Sequence, residues 1–379
     1  MTSEFTGLIL TTLIVGAVAA VAFGAEEPPR RELAAATPGG QGWSLRLELA
    51  TRYDDNITQL SDTDIDRLDD PTCQSDPTCN SRFRIESASD WIVAPEARVE
   101  WSHTSSGGLE SSLAGQARAN IYTNNSVKDY EVYGLRFAQD LSAGSHPTTL
   151  YVRVDHMPDY YLRELTVPEA SRIAGTTVRD SGRFASTELA LRVRQVLVPK
   201  YLDLEAAGGT EQRDYQAPFD ERDGDLTGWS ALFVVRPTGN RDLAVDAGYR
   251  SESYDANGDR SGTEALESDI SNDRQAFFVG LTLRWGERPI RGWLAVDASR
   301  ELRDFTTAEQ RDIYHFGRED TRTVYALTVR QALSELLYLE GRAEHEENDS
   351  NLGPLVVSTG DDVTDFTQNV YSVSVGARF

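Results

Sequence analysis

Lysine is almost missing from this chain. Only Lys128 and Lys200 occur in 379 residues, so nearly all positive charge is arginine. Acids outnumber bases, 61 to 37, and the formal net charge is −24. That balance argues against nucleic acid as a partner, because its phosphates would be repelled. Cysteine is limited to Cys73 and Cys79, six positions apart. Two thiols with no His nearby make a poor zinc site. An oxidising compartment would pair them in a disulfide across a short loop. Histidine occurs five times, at His103, His146, His156, His315 and His345. Only His345, between Glu344 and Glu346, suggests a catalytic group, and in a strand those acids point to the opposite face. The expectation is a protein that is not an enzyme, with no cofactor and no metal site.

Long apolar runs are also lacking, with one exception at the amino terminus. Phe5 to Ala25 carries no charge, and Ala22-Phe23-Gly24 puts small residues where a signal peptidase needs them. We expect a signal peptide over 1–24 and a flexible periplasmic lead-in over 25–42, rich in Pro, Gly and Ala. Glu4, with no Lys or Arg before the run, leaves an uncleaved anchor as the alternative. No other run approaches the length of a membrane helix. A membrane-embedded mature chain must then be a β-barrel, because only helices and closed barrels satisfy every backbone group in lipid.

What the chain does have is alternation. Its last residues place Tyr371, Val373, Val375, Ala377 and Phe379 on one face, with Ser372, Ser374, Gly376 and Arg378 on the other. The same two-residue period opens the chain after residue 42, with Trp43, Leu45, Leu47, Leu49 and Tyr53 against Arg46, Glu48 and Arg52. A strand sends successive side chains to opposite faces, so each run has an apolar side and a wet side. About fourteen such runs follow one another. Short turns, such as Ser105-Ser106-Gly107-Gly108, alternate with mostly long polar connections around Asp64, Asp220, Asp259 and Asp349. Sorted loops of this kind suit a barrel with short periplasmic turns and long extracellular loops. Trp43, Tyr53, Trp101, Tyr133, Trp229, Trp285, Tyr325 and Phe379 fall near strand ends, as interfacial girdles would. The expected fold is all-β: a transmembrane, antiparallel, up-and-down barrel over 43–379.

Parity then names the lumen. The inward face should carry Arg46, Arg98, Arg136, Arg153, Arg192, Arg194, Arg236, Arg284, Arg330 and Arg378, with Asp155, Asp203, Glu205, Asp246, Asp297 and Glu340 among them. An inward Arg followed by a turn and an inward acid recurs: Arg194 with Asp203, Arg236 with Asp242, Arg330 with Glu340. Cross-strand ion pairing would let the lumen tolerate its own charge. Fourteen strands lie between barrels filled by side chains and open porins, so a restricted pore is expected.

Two stretches carry resemblances. Tyr371, Val373, Val375, Ala377 and Phe379 resemble the C-terminal signal of bacterial outer-membrane barrels. That implies a bacterial outer-membrane location, recognition by the barrel-assembly machinery, and contact with outer-membrane lipid and lipopolysaccharide. Tyr53-Asp54-Asp55-Asn56 resembles the "YDDN" that opens a group of barrels encoded with exopolysaccharide or capsule genes. It implies polysaccharide export components as partners and polymer export as the role. A general diffusion porin for small anionic or sugar solutes and a plugged structural or adhesive barrel are the alternatives.

Overall fold

The computed structural model describes residues 42–76, 79, 82–142, 144–167, 174, 178–239, 242–258, 269–287, 290–308, 312, 315–351 and 365–379. The expected export signal and residues 25–41 of the lead-in lie outside them, as does Asp259.

Fourteen strands close on themselves. Each pairs antiparallel with its sequence neighbours, and β1 (Gly42–Asp54) meets β14 (Phe366–Arg378) to seal the ring. Between them run β2 (Asp90–Thr104), β3 (Glu110–Tyr122), β4 (Tyr130–Ser142), β5 (Thr148–Thr166), β6 (Arg179–Val198), β7 (Leu202–Tyr215) and β8 (Gly224–Val235). The circuit continues with β9 (Leu243–Ala256), β10 (Asn272–Trp285), β11 (Gly292–Phe305), β12 (Glu319–Ala332) and β13 (Leu337–Asn351). Closure leaves no strand edge to be satisfied by water.

The register turns the sequence alternation into two surfaces. At the seam Leu47 faces Ala377, Leu49 faces Val375 and Tyr53 faces Tyr371, and all of these point outward. Leu135, Phe233, Val279, Leu327 and Val373 are exposed on the same outer surface. The expected girdle residues point outward too. Trp43 stands beside Trp101 at the short-turn end. Tyr53, Trp91 and Tyr371 gather ten residues along, at the other end. Ten steps at about 3.3 Å, tilted by about 40°, give an apolar band about 25 Å tall. That is the thickness of an outer-membrane hydrocarbon layer, and a soluble protein gains nothing from exposing such a band. The chain is an outer-membrane β-barrel.

The strands run farther than the sequence pattern suggested. The stretches 157–181, 302–319 and 347–364 read as loops, yet β5 continues to Thr166, β6 starts at Arg179, β11 reaches Phe305 and β13 reaches Asn351. These ends rise past the apolar band: the end of β13 and the start of β6 are polar on both faces, and two register shifts break the period of β5. The first long connection also holds more structure than expected. Ser61 caps α1 (Asp62–Asp69), accepting from the Asp64 amide at 3.2 Å. Asp70 caps α2 (Pro71–Ser75), with Pro71 in its first turn. Acids at the amino end and Arg67 at the carboxyl end of α1 complement the helix dipole.

This connection packs against the barrel's inner wall. Ile57, Leu60 and Leu68 are buried against Ile92, Tyr122 and Tyr161, which project inward from β2, β3 and β5. Removing these side chains from lumen water holds the segment in place. On the other side Asn56 donates to the Thr367 carbonyl at 3.0 Å and Gln59 reaches Glu346 and Gln368, both at 3.4 Å. A second aromatic cluster of Phe184, Tyr215 and Phe219 lines the same mouth.

Candidate functional site

The lumen wall is written by the inward parity of every strand. On β14, β1 and β2, Arg378, Arg46 and Arg98 stand side by side on one rung. Like charges facing across strands repel. Acids two residues along the same face relieve this: Arg46 holds Glu48 at 2.5 Å and Arg98 holds Glu100 at 3.1 Å. The opposite arrangement occurs on β5, β6 and β7, where Asp155, Glu188 and Glu211 share a rung. Arg153 answers it, pairing with Glu188 and, at 3.1 Å, with Asp155.

Asp203 is the centre of the tightest group. It is 1% exposed and takes Arg194 Nε at 3.0 Å and both terminal nitrogens of Arg236, at 3.0 and 2.6 Å. Arg194 also reaches Glu205 at 3.8 Å, and Arg192 reaches Glu205 at 3.6 Å. One feature differs from the expected hairpin unit. Arg236 turns to Asp203 of the preceding hairpin, while Asp242 is exposed at the rim. Asp203 is fully inside the lumen and already faces a second arginine, so it is the stronger anchor. Arg330 and Glu340 do pair as the sequence suggested, at 2.6 Å.

Aromatic faces alternate with these charges. Arg192 lies 4.4 Å over Tyr151, and Arg330 lies 4.4 Å over Tyr338 and 5.7 Å from Trp293. The Tyr338 hydroxyl donates to Glu48 and accepts from Arg46 Nε at 3.0 Å. Its ring lies over Gly376 of β14, where a Cβ would come within 2.1 Å of it. Glycine there leaves room for the inward tyrosine.

By register, Arg136, Arg284, Arg378, Asp246 and Asp297 share the inward rungs of these groups. Farther along, Glu301 joins Arg250 at 2.9 Å and Arg303 at 3.0 Å, and Arg322 joins Glu346 at 2.6 Å. Arg274, Arg303, Trp293, Tyr338 and Phe278 had the inward parity that would have identified them. The disulfide Cys73–Cys79 joins α2 to the chain beyond it, with Cα atoms 5.1 Å apart. Asp54 and Asp55 clasp the last strand. Asp54 accepts from Gln368 at 2.8 and 2.9 Å, and Asp55 accepts from the Asn369 amide at 2.6 Å.

His345 faces outward, 2.9 Å from Asn369, while Glu344 and Glu346 face inward. His315 is buried in the connection before β12, its Nδ1 2.8 Å from Asp312. Burial pushes its pKa down against the pull of Asp312, and Arg222 and Arg318 push the same way.

No family model and no curated protein matches this chain. Among solved structures it is similar to a loop-deleted OmpT of Vibrio cholerae, at 10% identity over 89% of this chain and 99% of that one, with a TM-score of 0.40. It is similar to OccK2 of Pseudomonas aeruginosa at 11% identity over 89% and 98%, with a TM-score of 0.39. A bacterial polysaccharide outer membrane secretin gives 7% identity over 88% and 97%, with a TM-score of 0.40.

Proposed function

We propose that this barrel is a non-catalytic channel for anionic, hydroxyl-rich solutes, and that a surface polysaccharide leaving the cell is its substrate. The carrying observation is the lumen wall, where guanidinium groups alternate with aromatic faces at Arg192–Tyr151 and Arg330–Tyr338. Guanidinium forks bind carboxylates in bidentate fashion. Flat aromatic faces offer apolar surface to sugar rings. The Tyr53-Asp54-Asp55-Asn56 resemblance supports a polymer over a small solute. Both termini of the barrel lie at the short-turn end. Export through the inner membrane makes that end periplasmic, so the long connections face outside, among lipopolysaccharide. The barrel-assembly machinery would read β14, and polysaccharide export components would dock at the short-turn end.

The first connection favours a second reading. Two helices and an apolar cluster occupy the mouth, which suits a selective porin for small anionic or sugar solutes. Planar-bilayer recording decides between them. The export reading expects an open current that a soluble polyuronate blocks from one side. Uniform block by small uronates alone favours the porin. Absence of current from folded protein removes both and leaves a plugged barrel.

A further inference from the structure

Tryptophan in this chain belongs to the lipid face, with one exception. Trp43, Trp91, Trp101, Trp229 and Trp285 are exposed on the outer surface, where an indole suits the membrane interface. Trp293 has the opposite parity. It is the second residue of β11, partly buried, and it faces the lumen beside the short turns. The membrane accounts for the other five indoles and not for this one.

The inner wall around Trp293 has a repeating character. On its rung Trp293 stands between Arg284 of β10 and Arg330 of β12, its cross-strand neighbours on either side. Arg330 lies 5.7 Å from the centre of the Trp293 ring and 4.4 Å over the ring of Tyr338 on β13. Arg46 of β1 lies 5.5 Å from the same tyrosine ring. Two flat rings and two guanidinium groups thus alternate around the wall from β11 to β1, each ring attracting the cation beside it. Gly376 of β14 keeps this path clear, since a Cβ there would meet the Tyr338 ring. Acids hold both guanidinium groups in place: Glu340 takes Arg330 Nε at 2.6 Å, and Glu48 takes Arg46 at 2.5 Å. Ion pairs alone would balance these charges. The rings add apolar faces turned toward water, which is what a sugar ring can use.

We propose that Trp293, with Arg284, Arg330 and Tyr338, forms a binding site for one uronic-acid residue, a sugar ring that carries a carboxylate. The C–H face of the sugar stacks on the indole. Its carboxylate takes a charge-assisted, bidentate pair from a flanking arginine. Its hydroxyls donate to Glu340. Arg330 is already fixed by Glu340, so pairing costs it little further freedom. A neutral sugar can stack without forming the ion pair, and a simple carboxylate can pair without stacking. The site therefore favours a ligand that does both. Its place in transport rests on the channel reading above, because it lies at the end where an exported polymer enters. Binding itself does not depend on that reading.

The test uses the full mature barrel, folded in detergent and titrated calorimetrically at low salt with trigalacturonate, maltotriose and acetate. Wild type is expected to bind trigalacturonate at least tenfold more tightly than either of the others. Trp293→Ala should weaken that binding at least tenfold, and Trp293→Phe, which keeps a smaller ring, by less. Arg330→Gln should narrow the preference over maltotriose at least threefold. All three should keep heat-modifiable mobility. Acrylamide quenching of wild-type fluorescence needs no variant: trigalacturonate should shield the lumen-facing indole, and maltotriose should shield it far less. No binding of trigalacturonate by wild type, equal affinity for maltotriose, or unchanged affinity in both Trp293 variants overturns the proposal. Bilayer current from the same samples reads the channel separately. Trp293-dependent binding without current keeps the site and removes the channel; current without such binding does the reverse.

Discussion

Val375 sits midway along the outer face of β14. It is four residues from Tyr371 and four from Phe379, the two aromatic ends of the outer face of β14. It is exposed to lipid, flanked by Leu49 on β1 and Leu339 on β13. Replacing it with Arg removes little packing, so the cost is that of placing a guanidinium near mid-membrane. That costs about 2–4 kcal/mol, or roughly 30- to 700-fold in the folded-to-unfolded ratio. Ser374, one residue away, faces the lumen opposite Ala50 and Glu340. Ser374→Asn keeps a polar group on a polar face and should cost less than about 1 kcal/mol. The assay is reversible denaturant unfolding in phospholipid vesicles, read by tryptophan fluorescence and heat-modifiable mobility. Wild-type stability in Val375→Arg with loss in Ser374→Asn would mean that the faces of β14 are reversed. The lumen assignments would fall with them.

Four further outcomes are expected. Asp203→Asn should destabilise the barrel by about 1–3 kcal/mol, at the low end of a broken buried pair because Arg194 keeps Glu205 and is partly exposed; unfolding at wild-type denaturant concentration would refute the role of Asp203. Thiol titration of denatured, unreduced protein should find no free thiol, and two would contradict the Cys73–Cys79 bond. A cysteine at Asp349 should be labelled on intact cells, whereas labelling only after the outer membrane is opened would invert the barrel. His315 has a depressed folded pKa, so folding favours its neutral form. Its contribution is present above the ordinary His value near 6.5 and is lost as pH falls through the lower folded value. Amide protection factors around 315–318, which remove the intrinsic pH dependence of exchange, should therefore fall on acidification in wild type and much less in His315→Gln; an equal fall in both would remove His315 as the cause.

The outer face of this barrel was legible in the sequence because lipid imposes a period of two on every strand that crosses it. Leu45, Leu47 and Leu49, or Val373, Val375 and Ala377, can be assigned without knowing their neighbours, since only their own alternation is needed. The inward positions of Arg46, Asp203 and Glu340 follow from the same count. Where the strands leave the lipid, that constraint ends. The extensions of β5, β6 and β13 were invisible for this reason. Partner choice also depends on the third dimension. Arg236 could be placed in the lumen from parity, but its turn toward Asp203 depends on which acid the closed ring brings within reach. The inward packing of α1 and α2 needed the tertiary structure most. Ile57, Leu60 and Leu68 show no strand period, and they are buried only because Ile92, Tyr122 and Tyr161, far along the chain, provide an apolar wall inside the barrel.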